Sequence, residues 1–369
     1  MRRRTRKPGT PAPARGRMLL AGLVAIALAA CTADSPDAAF ERYLARLSRT
    51  LAVASPDIAG PAVAGMPPPR ELHRALAAGS LDTLDFLALS GCEVQITIGK
   101  RNSSLGRMAR DSQRLLLELE YLQLAPACIA YQRGRGETAL ANTLEQAWLQ
   151  KRRQLPAAIY NATLGSSEYR EFWQQPAFPA ADYPANTGSA VIASLEMINH
   201  HARRWLAGDF SADNLEFELL LGEAATGDGG ALLQALAAQS AALAAANRML
   251  AQRMARGPLC SASIRPVAAD ILANVIRKFF IGDIQPRAAA LNRRYHELLL
   301  PIEALEQLLG DALPPAYVVW AGQRDARLSE LALAPRRHVE SLQSIQQPCP
   351  PNKGAPDDSG APRRPAGAL

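Results

Sequence analysis

The chain has 369 residues, of which 48% are hydrophobic, and a formal net charge of +7 at pH 7. Seven of its 41 Lys and Arg residues lie in the first 17 positions, and the rest of the chain carries 34 basic and 34 acidic residues. Nucleic acids and anionic lipid surfaces attract basic faces, so this balance supports neither partner, and we discard both on composition.

The first 30 residues form a basic and then apolar leader. No charge occurs from Met18 to Ala30, a pattern typical of a cleaved export signal and shorter than the roughly 20 apolar residues of a membrane-spanning helix. The run Leu28–Cys31 resembles the lipobox of bacterial lipoprotein precursors. An ordinary secretory signal cut near Ala30 is the alternative. We predict that residues 1–30 are a signal peptide and that the Cys31 thiol carries a lipid.

A lipid at this position places the mature protein in the cell envelope. Each buried methylene adds about 0.8 kcal/mol, so two or three acyl chains hold a protein firmly on a membrane. Thr32 stands where an aspartate tends to retain such lipoproteins in the inner membrane. We therefore expect the outer membrane, facing the periplasm, with the membrane as a partner through the lipid.

Apolar residues recur at three- and four-residue spacing along most of the mature chain, which predicts an all-α, multi-helix bundle-like fold. Apolar residues alternate at 94–98, as in a short strand, but polar residues continue the same segment and we prefer helix. Pro126 is expected to end or kink its helix, and Pro156 to interrupt the helices after it. The predicted helices cover 36–51, 70–78, 81–89 with Ser80 as the cap, 93–107, 115–126, 140–153, one or two within 155–173, 191–206, 217–221, 232–254, 271–280, 288–309 and 316–345.

A polar, proline-bearing stretch at 176–188 is the predicted internal boundary. It separates an N-terminal helical part, 31–175, from a C-terminal helical part, 188–349, and either two interlocked subdomains or one large domain would fit this length. Small residues along 232–254 favour close antiparallel contact with the 191–206 helix. The tail at 350–369 has almost nothing to bury and is expected to be disordered.

Four cysteines remain after Cys31, an even number that suits an exported protein. Three pairings are possible. We prefer Cys92 with Cys128 and Cys260 with Cys349, because neighbours in sequence are often neighbours in a helical fold. No Cys/His cluster of metal-ligand spacing occurs, so we predict neither a metal site nor a cofactor.

The densest polar cluster lies between residues 100 and 114. Arginine side chains there could present guanidinium groups to an anionic ligand. The alternative is a helix end whose Asn and Ser side chains bind backbone groups, with the arginines paired to Glu93, Asp111 or Glu118. The candidate ligand-binding residues are Arg101, Asn102, Ser104, Arg107, Gln113 and Arg114.

No known catalytic motif accompanies this cluster: the chain lacks HExxH, GxSxG, a phosphate loop and a glycine-rich dinucleotide motif. The sequence identifies no catalytic residues. It leaves open whether the protein is an enzyme and favours a protein that is not. We expect a non-enzymatic binding or scaffolding role in the envelope, with an envelope protein as a possible partner. The alternative is an envelope hydrolase or transferase that holds an anionic substrate near Arg101–Arg114.

The run from Leu84 to Leu122, LDFLALSGCEVQITIGKRNSSLGRMARDSQRLLLELEYL, resembles the signature region of the domain of unknown function 3080 family. The segments PACI at Pro126 and LPAAIYNATLG from Leu155 extend the likeness, and RNSSLGR at Arg101–Arg107 is its most specific piece. The resemblance implies a lipoprotein of Gram-negative bacteria. It implies no activity and no catalytic residues.

Overall fold

In a computed structural model of the chain, the described residues are 36–58, 65–77, 83–174, 183–185, 187–261, 263–347 and 349–350. The predicted signal peptide, Cys31, and the tail beyond Pro350 lie outside these ranges, as do Ser80 and most of the predicted boundary at 176–188.

The described residues form helices and no strand, which confirms the all-α fold class and the helical interpretation of 94–98. The helices are α1 Pro36–Leu51, α2 Pro69–Leu72, α3 Thr83–Ala88, α4 Val94–Asn102, α5 Ser104–Arg107, α6 Asp111–Gly134, α7 Thr138–Ala162, α8 Ser167–Phe172, α9 Ala190–Ala207, α10 Asn214–Ala225, α11 Gly229–Met254, α12 Val267–Val275, a π-helical segment Ile276–Ile284, α13 Gln285–Leu309, a 3₁₀ turn Gly310–Ala312, α14 Pro315–Ala332 and α15 Ala334–Gln346.

The helix predicted over 70–78 is much shorter, because α2 ends at Leu72. The side chain of Asn161 binds the next segment: its Oδ1 accepts the Arg74 N–H at 2.9 Å and its Nδ2 donates to the Arg74 carbonyl at 2.8 Å. Both backbone groups of Arg74 are therefore held by a side chain from α7. A distant residue thus overrides the local helical pattern.

Two prolines lie within continuous helices, so Pro126 does not end its helix and Pro156 does not interrupt one. Pro126 lies inside α6, and Pro156 lies inside α7. A proline lacks the N–H that would bind the carbonyl four residues earlier. For Pro126 that carbonyl belongs to Leu122, and it accepts a hydrogen bond from Trp148 Nε1 at 3.0 Å instead.

The last predicted helix, 316–345, is two helices that meet at Leu333. Pro335 lies in the first turn of α15, where a missing N–H costs no helical hydrogen bond, so the chain restarts there. Conversely, the helices predicted over 271–280 and 288–309 are joined without a break through the π-helical segment.

Within the described ranges, buried side chains form three clusters. The central core contains residues between 72 and 331, on both sides of the predicted boundary at 176–188. The predicted N-terminal and C-terminal parts therefore share this core. The α1 core joins α1, the second half of α11, α12, the π-helical segment and α15. The α4 core joins α4, α6 and α7. The predicted pairing of the alanine-rich helix with the 191–206 helix is wrong: α11 packs against α1, α13, α14 and α15, whereas α10 and α13 cover α9.

Both predicted disulfides are confirmed, and each belongs to a different core. Cys92–Cys128 lies in the α4 core, and Cys260–Cys349 lies at the α1 core. Among the described residues, the stretch Asn214–Met254 is long and apolar enough to span a membrane. However, 72% of its qualifying window is buried in the protein, as expected of a core helix.

Candidate functional site

Three arginines of the RNSSLGR region converge on one open cleft of about 440 Å³, which we call the arginine cleft. It lies where α4, α5 and the start of α6 meet the segment after α2 and the end of α7. Its lining residues are His73, Ala75, Leu76, Arg101, Asn102, Gly106, Arg107, Asp111, Arg114, Leu115, Glu118, Ala158 and Asn161.

The tight turn that carries Arg107 depends on a serine cap and a glycine. Ser103 Oγ accepts the Gly106 N–H at 3.0 Å and so caps α5. A Cβ on Gly106 would lie 2.2 Å from the Lys100 carbonyl oxygen and 2.5 Å from that of Arg101. Only glycine allows α5 to fold this closely onto the end of α4, and this contact positions Arg101 and Arg107 around one space.

The carboxylate of Glu118 lines the cleft and contacts two basic side chains. Glu118 Oε1 lies 2.8 Å from Arg101 Nε, and its Oε2 contacts Lys151 Nζ. Burial lowers the pKa of Lys151, and the nearby Glu118 charge partly offsets this effect. Both Glu118 oxygens are therefore engaged, so this residue acts as a fixed counter-ion that orients Arg101.

The segment after α2 brings a histidine into the cleft. His73 Nε2 lies 3.5 Å from Asp111 Oδ1, and both side chains are partly exposed. The double hydrogen bond between Asn161 and the Arg74 backbone holds this segment in place. The cleft thus offers guanidinium groups, an amide and an imidazole beside a carboxylate.

A larger cavity of about 740 Å³ lies across Gly106, which lines both spaces. Leu105, Leu116, Leu117 and Phe210 give it a partly apolar lining. Gln113 also lines it, and its Nε2 donates to Asn214 Oδ1 at 2.9 Å and to Glu218 Oε1 at 2.6 Å.

The predicted candidate residues divide between these two spaces. Arg101, Asn102, Arg107 and Arg114 line the arginine cleft, and Gln113 lines only the larger cavity. Ser104 is exposed at the start of α5 and lines neither. The alternative interpretation is also right in part, since Ser103 is a helix cap and Arg101 pairs with Glu118.

Sequence reasoning missed His73 and Asn161, which enter the cleft from distant parts of the chain. His73 lies 38 residues before Asp111 and carries no local motif. The N-x-T pattern at Asn161 matches a glycosylation acceptor, but Asn161 is only 2% exposed and its amide is fully used by Arg74. Within the described ranges, no group of three or more His, Cys, Asp or Glu side chains could hold a metal ion.

The RNSSLGR region lies well inside a stretch that matches a known family model. Residues 40–351 match the family described as "Protein of unknown function (DUF3080)". The chain belongs to this family. The resemblance noted from RNSSLGR and its neighbouring segments is thereby confirmed. Neither a curated protein nor a solved structure matches the chain.

Proposed function

We propose that this DUF3080 protein is a lipid-anchored protein of the cell envelope whose arginine cleft binds an anionic ligand. The observation that supports anion binding is that Arg101, Arg107 and Arg114 line one concave space. A basic leader that ends at Cys31 in a lipobox-like run supports the anchor, and Thr32 supports the outer membrane, facing the periplasm. Two disulfides suit an oxidising compartment outside the cytoplasm.

The charges and free donors of the cleft favour an anion. Among the described residues that line the cleft, Arg101, Arg107 and Arg114 meet two carboxylates, Asp111 and Glu118, and Lys151 contacts Glu118 as a further cation. Arg101 uses Nε for Glu118, and Arg114 uses Nη2 for the Arg107 carbonyl at 2.8 Å. The remaining guanidinium N–H groups form the planar forks that bind phosphate or carboxylate groups in pairs.

Anion binding can be measured by titrating the mature protein with inorganic phosphate and pyrophosphate in a calorimeter. We expect saturable binding that Arg107→Gln and Arg114→Gln each weaken about 10-fold or more, because a hydrogen bond to a charged group contributes about 1.5–3 kcal/mol. Arg327→Gln is the matched control, since Arg327 pairs with Glu330 on α14. Binding that is absent, or equally strong in the cleft variants, would contradict the proposal.

One observation favours a second candidate, an envelope hydrolase or transferase. His73 beside Asp111 could move a proton at a substrate that the arginines hold. A series of chromogenic phosphomonoesters, phosphodiesters and carboxylic esters separates the two functions. Turnover that His73→Ala abolishes while phosphate binding persists would favour the enzyme. Binding without turnover would favour a binding or scaffolding role, and crosslinking of the intact lipoprotein would then identify an envelope partner.

The anchor has an independent test in mass spectrometry of protein purified from membranes. We expect a mature chain that begins at an acylated Cys31, and release of a Cys31→Ser variant from the membrane fraction. An uncleaved leader, or a mature Cys31 with a free thiol, would contradict the lipid anchor and leave the arginine cleft untouched.

A further inference from the structure

A second basic cavity lies beside α1, the first helix after the predicted lipid. It has a volume of about 440 Å³ and is lined by Arg46 and Arg49 from α1 and Lys278 from the π-helical segment. Among the described residues that line it there is no Asp or Glu. Thr50 and Asn274 add polar groups to the same lining. Three cations therefore share one concavity whose described lining holds no carboxylate.

Two of these cations contact the same aromatic ring. The guanidinium carbon of Arg46 lies 5.6 Å from the centre of the Phe279 ring, and Lys278 Nζ lies 5.7 Å from it. Cation–π contacts of this kind hold the charges in place while their outer N–H groups stay in solvent. Both charged side chains are thus held at one ring that also lines the cavity.

An exposed apolar stripe borders the basic cavity. Val267, Ile271 and Ile281 are 74%, 47% and 50% exposed, respectively. Val267, Ile271, Asn274 and Lys278 follow one another at three- and four-residue spacing, so they share one face of α12 and its π-helical continuation. A helix face that combines apolar side chains with Lys and Arg is typical of helices that lie in a membrane interface.

The predicted anchor brings this face close to a membrane. Cys31 precedes the first residue of α1, Pro36, by five residues. Five residues span at most about 18 Å when fully extended. Arg46 and Arg49 lie 10 and 13 residues further along α1, about 15–20 Å from Pro36 at 1.5 Å per residue. The basic cavity therefore lies on the order of 40 Å or less along the chain from Cys31, which lets it reach the membrane that holds the lipid.

We propose that Arg46, Arg49, Lys278 and the flanking Val267 and Ile271, together called the docking surface, bind the anionic phospholipids of the membrane that holds the lipid anchor. A lipid phosphate occupies the basic cavity, and the apolar stripe contacts the start of the acyl chains. The neutral net charge of the mature chain does not oppose this binding, because headgroups respond to the charges within about one Debye length, roughly 8 Å. Docking fixes how the anchored protein is oriented and which way the arginine cleft faces.

The test uses the complete mature chain with Cys31→Ser, so that no acyl chain contributes. It is mixed with vesicles of phosphatidylglycerol and phosphatidylcholine, or of phosphatidylcholine alone, and sedimented. We expect binding to the anionic vesicles only, weakened by salt. Combining Arg46→Glu, Arg49→Glu and Lys278→Glu should lower the vesicle partition coefficient by a factor of roughly 100 or more, because each basic residue near an anionic surface contributes about 1 kcal/mol.

Exposed arginines elsewhere supply the control, a chain with Arg135→Glu, Arg153→Glu and Arg203→Glu, which changes the net charge equally and should lower binding far less. If the docking variant unfolds, replacing the same three residues with Gln provides a second variant. No binding to anionic vesicles, or an equal loss in the control, overturns the proposal. The proposal is also overturned if inorganic phosphate binds saturably and needs Arg46 while the vesicles do not bind, since the cavity would then be a site for free phosphate. None of these outcomes depends on the arginine cleft or on acylation.

Discussion

Trp148 Nε1 donates a hydrogen bond to the Leu122 carbonyl, 3.0 Å away, where Pro126 leaves that carbonyl without its helical partner. The bond links α7 to α6 and lets a proline remain in the middle of a 24-residue helix. Tyr121 makes a neighbouring bond between the same helices, from its hydroxyl to the Leu144 carbonyl at 3.1 Å.

The first prediction concerns this pair. Trp148→Phe should lower the free energy of unfolding by about 1–3 kcal/mol, because the Leu122 carbonyl loses its donor while its surroundings stay apolar. In a Pro126→Ala background the alanine supplies a backbone N–H that can bind that carbonyl, so the same change should cost less. Urea unfolding of the four proteins gives the coupling as a double-mutant cycle. Equal costs in both backgrounds would mean that only the packing of the indole matters.

The spacing of residues along the chain predicted those elements whose structure depends on nearby residues. The spacing of Phe40, Tyr43, Leu44 and Leu47 identified α1, and all four side chains are buried. The disulfide pairing also followed from proximity along the chain. One face of a helix carries the whole signal for α1. The pairing of successive cysteines needs only their order along the chain, although Cys260 and Cys349 are 89 residues apart.

Long-range contacts explain the failures. Pro126 is tolerated because of a tryptophan 22 residues later, and the predicted helix after α2 is overridden by Asn161, 87 residues from Arg74. His73 gives no local sign that it faces Asp111 in the arginine cleft. Likewise, the net charge of the chain gave no sign of the basic cavity around Arg46, because a net charge does not tell where the charged residues lie in the fold.

The second prediction concerns the glycine between the two cavities. Gly106→Ala should destabilise the protein by about 1–3 kcal/mol, since the added Cβ would meet backbone oxygens of Lys100 and Arg101 that cannot move away cheaply. It should also weaken phosphate binding by displacing α5. Gly222→Ala in α10 is the control, because its Cβ meets nothing within 4 Å and should leave stability unchanged or raise it by about 0.5–1 kcal/mol. Equal effects of the two changes would argue against a close contact at Gly106.

The third prediction concerns His338, which is fully buried in the α1 core. Its Nε2 lies 2.7 Å from Tyr43 Oη and its Nδ1 lies 2.6 Å from Asn247 Oδ1. A neutral ring that donates from Nδ1 and accepts at Nε2 satisfies both contacts. Burial lowers the pKa of His338 to about 4.

Stability should therefore fall as the pH drops from about 6.5 towards 4. In that window the unfolded chain binds a proton that the folded protein excludes, so acid favours unfolding, with a total effect on the order of 3 kcal/mol. Urea unfolding at several pH values measures the slope. His338→Gln removes the titrating group, so the difference in stability from the unchanged protein should shrink towards low pH. A difference that is constant across the window would contradict a depressed pKa.

The last prediction separates the two disulfides by their effects on the arginine cleft. The bonds close 36 and 89 residues of chain, for which loop entropy gives about 4 kcal/mol each, slightly more for the longer loop. Replacing either pair with alanine should therefore reduce stability similarly. Only loss of Cys92–Cys128 should also weaken phosphate binding, because Cys92 lies just before α4, which ends at Arg101 and Asn102. Calorimetry under conditions where both variants are folded measures this. Equal loss of affinity in the Cys260–Cys349 variant would mean that the cleft depends on overall stability and not on the position of α4.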